Sequence, residues 1–205
     1  MTNKLLIAID GPAASGKGTL AKLLGEKLNL PVLYTGNIYR AIAYKILTNK
    51  IDPKDKDQVV QAAKELMLED LDNSNLNQEQ VGEYASIIGV YPELREVTYK
   101  FQREFIDNAY RGAVIEGRDI GTVICPEAKF KFYVFADVEI RAKRRSNQNL
   151  TIDYNVILAD LKLRDDRDQN RVIAPLKPAN DAVMIDNGNL NAEETLATIL
   201  KIIVG

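Results

Sequence analysis

A glycine-rich segment near the beginning of the chain has the residues and spacing of a phosphate-binding loop. Residues 11–19 read Gly-Pro-Ala-Ala-Ser-Gly-Lys-Gly-Thr, so that Gly11, Gly16 and Lys17 match the pattern Gly-x-x-x-x-Gly-Lys. Glycine allows the backbone conformations and close approaches that let successive N–H groups point at phosphate oxygens, at the positive end of a helix dipole. The ammonium group of Lys17 is expected to reach the β- and γ-phosphates of a nucleoside triphosphate.

The residue after the lysine departs from the general pattern of such loops. Gly18 stands where most of them place a Ser or Thr on magnesium, and the hydroxyl group comes one residue later, at Thr19. Magnesium is therefore expected near Thr19, held largely through water and substrate phosphates, with no direct protein ligand assigned. The order Gly-Lys-Gly-Thr is typical of nucleoside-monophosphate kinases.

Arginines supply the second chemical signal. Phosphoryl transfer has a loose transition state with charge spread over the non-bridging oxygens, so catalysis consists of positioning and of stabilisation by cations. A single arginine is usually a solvated surface charge, but Arg118 lies between Gly117 and Asp119 directly after a predicted buried strand. The arginines near predicted strand ends or in the arginine-rich segment 141–171 favour a phosphotransferase; they are Arg40, Arg95, Arg118, Arg164 and Arg171.

The composition excludes several other chemistries. The chain has no histidine and one cysteine, Cys125, which rules out Ser-His-Asp and Cys-His nucleophiles, His-ligated metals, intramolecular disulfides and thiolate clusters. The formal net charge of −2 argues against a dedicated nucleic-acid-binding protein. The apolar run at residues 5–9 is too short for a signal sequence or a membrane span, so a cytoplasmic protein without a membrane partner is expected.

Short apolar strands are predicted to alternate with helices along the 205 residues. The alternation predicts an α/β fold, with a parallel sheet covered on both faces, in one domain with room for inserted flaps. Ligands of such folds gather at the carboxyl ends of the strands, and the unusual segments 11–19, 34–40 and 117–121 lie there. The predicted strands are residues 5–9, 31–33, 113–116, 130–135 and 182–185.

Helical periodicity predicts which side chains face the core. Ile38, Ile42 and Ile46 share one face of a predicted helix, with Arg40 and Tyr44 on another. A later helix is predicted from an apolar stripe, with Arg95 and Gln102 lying off it; the stripe consists of Leu94, Val97, Phe101 and Phe105. Asn191 and Glu194 predict a capping box at the start of the last helix.

One segment and one short motif leave room for other interpretations. Residues 65–94 contain acidic residues but no Lys or Arg, and the polar stretch 72–77 predicts a loop, where we place a flap.

Residues 49–52, Asn-Lys-Ile-Asp, match the guanine-recognition pattern of GTPases. They follow a helix rather than a late strand, and no Asp-x-x-Gly occurs in the chain, so we interpret them as a helix end and turn. A non-catalytic nucleotide-binding switch remains the alternative from another class.

Four segments in the same order resemble bacterial cytidylate kinases: residues 11–19, 35–40, 116–122 and 164–171, the last followed by Ala-Pro-Leu at 174–176. The resemblance covers nearly the whole chain. It implies a three-layer α/β P-loop kinase with a five-stranded parallel sheet, an inserted monophosphate-binding region at about 36–110 and a lid at about 141–168. The implied reaction transfers the γ-phosphate of ATP to CMP or dCMP with Mg²⁺, and a monomer acting on small-molecule nucleotides is expected.

The resemblance also implies roles for individual residues. The implied ATP loop is Gly11, Pro12, Ala13, Ala14, Ser15, Gly16, Lys17, Gly18 and Thr19. The implied clamp on the CMP phosphate is Arg40, Arg118 and Arg171; the implied sugar contacts are Thr35 and Asp168, with Arg164 beside them. The implied cytosine-reading residues are Ser86, Arg95 and Asp119. The implied catalytic residues are Lys17, Arg118, Arg164 and Arg171.

The physical chemistry of cytosine agrees with the role implied for Asp119. A carboxylate can accept a hydrogen bond from the N4 amino group of cytosine, whereas the O4 of uracil would face it with another acceptor. This mismatch disfavours uracil relative to cytosine by about 2 kcal/mol or more. A kinase of another small acceptor such as UMP is the leading alternative. The segment between Lys64 and Ser86 is shorter than in the enterobacterial members, which carry extra strands there.

The lid implied by the resemblance carries several cations. Its arginines are expected either to move over ATP and exclude water, which suppresses hydrolysis, or to pair with Asp165 and Asp166. An Asn-rich turn is predicted at residues 147–149. The arginines expected on one helix before this turn are Arg141, Arg144 and Arg145.

Overall fold

A five-stranded sheet forms the centre of the computed structural model, which describes residues 4–148 and 150–205. The strand order is β2-β3-β1-β4-β5. The pairs β1–β3, β1–β4 and β4–β5 are parallel, as predicted. The strands are β1 (Leu5–Asp10), β2 (Val32–Tyr34), β3 (Gly112–Gly117), β4 (Phe130–Phe135) and β5 (Val183–Asp186).

The described residues also form eight α-helices and three shorter helical turns, which lie before, between or after these strands in the chain. The α-helices are α1 (Lys17–Leu28), α2 (Thr35–Thr48), α3 (Lys56–Lys64), α4 (Glu79–Ile88), α5 (Pro92–Asn108), α6 (Val138–Gln148), α7 (Tyr154–Asn170) and α8 (Ala192–Val204). The turns are two 3₁₀ helices, Leu68–Asp72 and Ser74–Asn77, and a π-helical turn, Ile120–Ile124. None of the helices in the described ranges has the length and apolar character needed to cross a membrane.

The central position of β1 determines where ligands can bind. All of β3 and all but the first residue of β1 are buried, because β1 has neighbours on both sides and helices cover the sheet. Asp10, at the end of β1, is in register with Gly117 of β3 and with Tyr133 of β4. The loops that follow β1 and β3 therefore leave the same edge of the sheet side by side. The edge strand β5 is different, since Val183 and Met184 are exposed and only Ile185 is buried.

The chain divides into two compact units. One comprises the described residues up to Leu33 together with Ala109–Gly205, and the other is Tyr34–Asn108. Residues 35–108 of the second unit form helices and contain no strand. The stretch 72–77, predicted as a loop, is instead mostly 3₁₀ helix, because Leu76 is apolar enough to be buried and its neighbours cap the turns.

The predicted buried face is confirmed for helix α2 and is wrong for helix α5. Ile38, Ile42 and Ile46 are fully buried. On α5, however, Arg95 and Gln102 lie on the buried face, and the predicted stripe residues Val97, Phe101 and Phe105 are only half-buried. The buried polar groups are tolerated because they have partners; the amide of Gln102, for example, donates to the carbonyl oxygen of Thr98 at 2.9 Å.

The motif at residues 49–52 is a helix end and turn, as interpreted from the sequence. Helix α2 ends at Thr48, and Lys50 adopts a left-handed backbone conformation with φ 56°. The N–H groups of Lys50 and Ile51 return to the carbonyl oxygens of Leu47 and Ile46. This pattern closes a helix and leaves the motif without the strand that a guanine-recognition site would follow.

The last two helical predictions have different outcomes. The capping box of α8 is confirmed, since the Asn191 side chain accepts from the Glu194 N–H and the Glu194 carboxylate accepts from the Asn191 N–H. The predicted turn at 147–149 is wrong for Asn147 and Gln148, because α6 continues through Gln148; Asn149 lies outside the described residues.

Candidate active site

The glycine-rich loop joins β1 to α1 and adopts a backbone that requires glycine at two places. Gly11 and Gly16 have φ angles of 154° and 88°, in the region that favours glycine. A side chain at Gly11 would also collide with the carbonyl oxygen of Val134 on the neighbouring strand β4. Gly16 caps the N-terminus of α1, so the loop leads directly into the positive end of the helix dipole. This geometry suits a phosphate group.

Lys17 lies inside this loop and not in solvent. Its residue is 6% exposed, and its Nζ donates to the carbonyl oxygen of Pro12 at 3.2 Å and pairs with Glu116 Oε1 at 3.1 Å. Burial lowers the pKa of Lys17, and the charge of Arg118 lowers it further, whereas Glu116 opposes both. The carboxylate of Glu116, near the end of β3, thus holds the ammonium group of Lys17 in position at the loop.

Carbonyl oxygens of the loop accept hydrogen bonds from side chains for which no such role was predicted. The guanidinium of Arg141 donates to the carbonyl oxygens of Ala13 and Ala136 and pairs with Asp165 at 2.6 Å. The amide of Asn187, after β5, donates to the carbonyl oxygen of Ser15 at 2.8 Å. Arg144 donates in turn to Asn187. Of the two roles expected for the lid arginines, pairing with Asp165 is the one that Arg141 has here.

Four of the predicted site residues of the first unit come together after β3 and at the end of α7. Arg118 Nε donates to Asp168 Oδ2 at 2.8 Å. Arg171 lies 3.4 Å from an oxygen of Asp119 and 3.9 Å from an oxygen of Asp168. Two guanidinium groups and two carboxylates therefore form one network beside the loop that holds Lys17. We refer to Arg118, Asp119, Asp168 and Arg171 as the Arg–Asp network.

Arg118 keeps its charge in this network despite burial. Burial opposes the charged form of Arg118, but the carboxylates of Asp168 and Glu116 outweigh it, so the pKa of Arg118 lies above its ordinary value. Arg164, also predicted for the site, is buried on α7 and pairs with Asp160 at 2.9 Å. The network can bind an anion, because two guanidinium groups present several N–H donors in a small volume.

The second unit carries the other predicted contacts on its own helices. Thr35 is buried at the first position of α2, and Ser86 lies half-buried on α4. Arg40 donates to the carbonyl oxygen of Leu76 at 2.6 Å, so that the 3₁₀ helix Ser74–Asn77 supports it.

Arg95 and its surroundings form a separate cluster in the same unit. Its guanidinium lies 6.0 Å from the centre of the Tyr39 ring and donates to the carbonyl oxygen of Gly89 at 3.3 Å. The Tyr39 hydroxyl in turn lies 3.0 Å from Thr98 Oγ1. A cation stacked on a ring and anchored to a carbonyl is held in one orientation, which suits a group that reads a planar ligand.

A sequence model of the family described as "Cytidylate kinase" matches residues 7–204 of this chain. The chain belongs to the cytidylate kinase family. A cytidylate kinase from Bradyrhizobium sp. strain ORS 278 is 46% identical over 203 residues, which cover 97% of this chain and 95% of that protein. The cytidylate kinase of Paramagnetospirillum magneticum is 44% identical over 204 residues and covers 97% of both chains.

Solved structures confirm the fold of this chain. A shikimate kinase from Bacteroides thetaiotaomicron has a TM-score of 0.52 at 11% identity and covers 98% of this chain and 99% of its own. An uncharacterised protein from Eubacterium ventriosum has a TM-score of 0.56 at 16% identity, with the same coverage of 98% and 99%. At these identities the likeness concerns the fold alone, which is the three-layer α/β fold of P-loop kinases.

Most of these groups were predicted from the sequence, but three were not. Glu116 was quoted within a motif but given no role, although it pairs with Lys17. Asn187 was not named, and its contact with Ser15 spans 172 residues of sequence. Asp10 follows the predicted strand 5–9 and was given no role. A polar residue that ends a buried strand beside a glycine-rich loop was the one signal available for it.

Proposed function

We propose that this protein transfers the γ-phosphate of ATP to CMP or dCMP with the loop of residues 11–19 on the ATP side and the Arg–Asp network on the CMP side. The observation that supports these roles is the position of the network. It follows β3, whose end is in register with the end of β1, where the loop begins. Cations for the acceptor phosphate thus lie beside the cations and N–H groups for the donor phosphates.

The loop orients the donor. Its N–H groups and the dipole of α1 favour the phosphates of ATP, and Lys17 stabilises the charge that develops on the transferred group. Glu116 holds Lys17 in the loop until phosphate oxygens compete for its protons. No proton needs to be removed by Lys17 in this scheme, so its cationic form is the active one.

The residues present fit a magnesium ion bound mainly through the substrate. Thr19 presents its hydroxyl group from the exposed side of the first turn of α1, and the described residues contain no cluster of three metal-ligating side chains. One hydroxyl, phosphate oxygens and water form an all-oxygen donor set of the kind Mg²⁺ prefers. When bound, Mg²⁺ neutralises charge on the β- and γ-phosphates.

The acceptor needs orientation more than activation. The phosphate of CMP is anionic at neutral pH, so its oxygen can attack the γ-phosphorus without a general base. The new bond forms between that oxygen and phosphorus while the bond to the bridging oxygen of the β-phosphate breaks, and ADP leaves. Arg40, Arg118 and Arg171 clamp the acceptor phosphate, with Arg164 as a further cation. This scheme fits a chain without histidine.

The remaining contacts select the nucleoside. Thr35 and Asp168 take the sugar, and Ser86, Arg95 and Asp119 take the base. The unit Tyr34–Asn108 acts as the monophosphate-binding region, and the segment 141–168 acts as a lid that excludes water. The enzyme works as a monomer on small-molecule nucleotides.

The function is tested by an assay that couples ADP release to a recorded signal, with ATP and CMP, dCMP, UMP or AMP in separate reactions. Fast turnover with CMP and dCMP and slow turnover with UMP and AMP is expected. Preference for UMP would favour the other kinase hypothesis. A basal rate that no acceptor raises would instead indicate a nucleotide-binding switch.

Replacing Arg171 by alanine is expected to raise the KM for CMP by about 10- to 100-fold, because a charge-assisted hydrogen bond contributes about 1.5–3 kcal/mol. The KM for ATP should change much less. Steady-state kinetics with each substrate varied in turn measure both values. Arg111→Ala is the matched control, since Arg111 is exposed before β3. Equal kinetics of Arg171→Ala and the parent would leave Arg171 without a role in binding.

Replacing Gly82 by alanine is expected to displace Arg40 without unfolding the protein. A Cβ atom at Gly82 would lie 2.9 Å from Nη2 of Arg40, the far end of a flexible side chain that can move away. The KM for CMP should rise several-fold while the thermal unfolding temperature changes little. A double-mutant cycle gives the decisive control, because Gly82→Ala should have little effect once Arg40 is alanine. Additive effects would contradict the contact.

A further inference from the structure

Asp10 connects the loop of residues 11–19 with the loop of residues 117–121, although it has no proposed contact with ATP or CMP. It is the last residue of β1 and is 3% exposed. Its Oδ1 accepts a hydrogen bond from the N–H of Ile120 and its Oδ2 accepts one from the N–H of Gly121, both at 2.7 Å. These two residues begin the π-helical turn that follows Asp119. One side chain thus spans the start of the phosphate loop and the loop that carries Arg118 and Asp119.

We propose that Asp10 is a positioning residue of the kinase reaction, whose ionised carboxylate holds the loop 117–121 so that Arg118 and Asp119 face the acceptor nucleotide. The proposal rests on the function proposed above for these two residues. Asp10 itself touches no substrate. Its effect is therefore expected on the KM for CMP, through the geometry of the loop.

The geometry requires a carboxylate in its ionised form. Two N–H groups converge on one side chain, and only a group with two acceptor oxygens satisfies both. An asparagine offers one acceptor oxygen and turns its NH₂ group towards the other N–H, and a protonated aspartate places a hydroxyl group there, which is a weaker acceptor than an ionised oxygen. The approach is also close, since a Cβ atom at Gly121 would lie 3.3 Å from Oδ2. Glycine at 121 lets the backbone come within hydrogen-bonding distance.

The surroundings make this carboxylate sensitive to pH. Burial raises the pKa of Asp10 to about 6, against the two N–H groups, which lower it; Asp119 raises it and Lys17 lowers it. Tyr133 on β4 also faces it, and the pKa of that phenol is raised by burial and by Asp10. The side chain of Lys131 packs against Gly121 on the same side. As the pH falls through about 6, Asp10 takes up a proton and one N–H loses its acceptor.

The kinetic test compares Asp10→Asn with the parent between pH 5 and pH 8. At pH 7.5 we expect kcat/KM for CMP to fall about 10-fold in the variant, the effect of one lost hydrogen bond. The parent should approach the variant as the pH falls, so that their ratio moves towards 1 near pH 5. Titration of the nucleotide phosphates affects both proteins equally and cancels in the ratio. Asp57→Asn is the control, since Asp57 is exposed in the first turn of α3.

Two results would overturn the proposal. One is a ratio that stays constant from pH 5 to pH 8. The other is an Asp10→Asn enzyme with parental kinetics and a lowered unfolding temperature, which would make Asp10 purely structural.

A spectroscopic measurement on the parent protein does not depend on the variant or on activity. The amide proton shifts of Ile120 and Gly121 in NMR spectra should titrate together with a midpoint near pH 6. Absence of that shared midpoint would contradict the contact. If the midpoint is present but no acceptor is phosphorylated at any pH, the proposed function fails and the connection by Asp10 stands.

Discussion

Replacing Lys17 by alanine is expected to lower kcat about 10²- to 10³-fold, the effect typical of removing one preorganised group that stabilises transition-state charge. The ammonium group is buried in the loop and already directed towards the phosphate position, so water cannot take its place efficiently. Single-turnover and steady-state rates with ATP and CMP measure the loss. Lys22→Ala is the matched control on the same helix, because the Lys22 side chain is exposed and pairs only loosely with Glu26.

The same substitution has a predictable effect on stability. Alanine at 17 removes the ammonium group that pairs with the buried carboxylate of Glu116, and breaking a buried ion pair in this way costs about 3–5 kcal/mol. Adding Glu116→Gln should recover much of that stability but none of the activity. Urea denaturation of both variants separates the two effects. A parental kcat in the Lys17→Ala variant would show that the loop does not take part in the transfer.

Replacing Asp119 by asparagine is expected to collapse the preference for CMP over UMP by about 10²-fold or more. Asp119 is 6% exposed, so a mismatched base could not be compensated by water. The carboxylate accepts from the N4 amino group of cytosine and faces the O4 of uracil unfavourably. An asparagine amide can instead donate to O4. The ratio of kcat/KM for the two nucleotides measures the change.

Alanine at position 119 gives the complementary result. Asp119→Ala should lower turnover of CMP strongly, because it removes the acceptor and also the carboxylate 3.4 Å from Arg171. It should not improve turnover of UMP as the asparagine does, since alanine offers no donor. A CMP/UMP ratio unchanged in both variants would remove Asp119 from base recognition.

The features that were predicted correctly depend on local patterns. Strand β4 was predicted with its observed bounds, and the phosphate loop was placed between a strand and a helix, because apolar runs and glycine spacing are read within a few residues. The buried face of α2 followed from the spacing of three isoleucines. The family resemblance then brought Arg118, Asp119, Asp168 and Arg171 into one expected site, where side chains from two segments about 50 residues apart do meet.

The features that were missed depend on partners. Hydrophobic periodicity assigns polar residues to the solvent side, yet Gln102 is buried because a carbonyl oxygen of the preceding turn accepts its hydrogen bond. The role of Arg141 as a brace depends on Ala13, 128 residues away. Asp10 meets N–H groups 110 and 111 residues away, and nothing in its own neighbourhood indicates them. Such contacts follow from strand register, which the sequence pattern alone does not specify.

The most direct test of the central claim follows the phosphate itself. ATP labelled at the γ-phosphate is incubated with CMP and the enzyme, and the products are separated. The label should appear in CDP at the rate at which ADP forms, with little free phosphate, and Lys17→Ala should slow both by about 10²- to 10³-fold. Label found only in free phosphate, or left in ATP in the presence of CMP, would contradict transfer of the γ-phosphate from ATP to CMP.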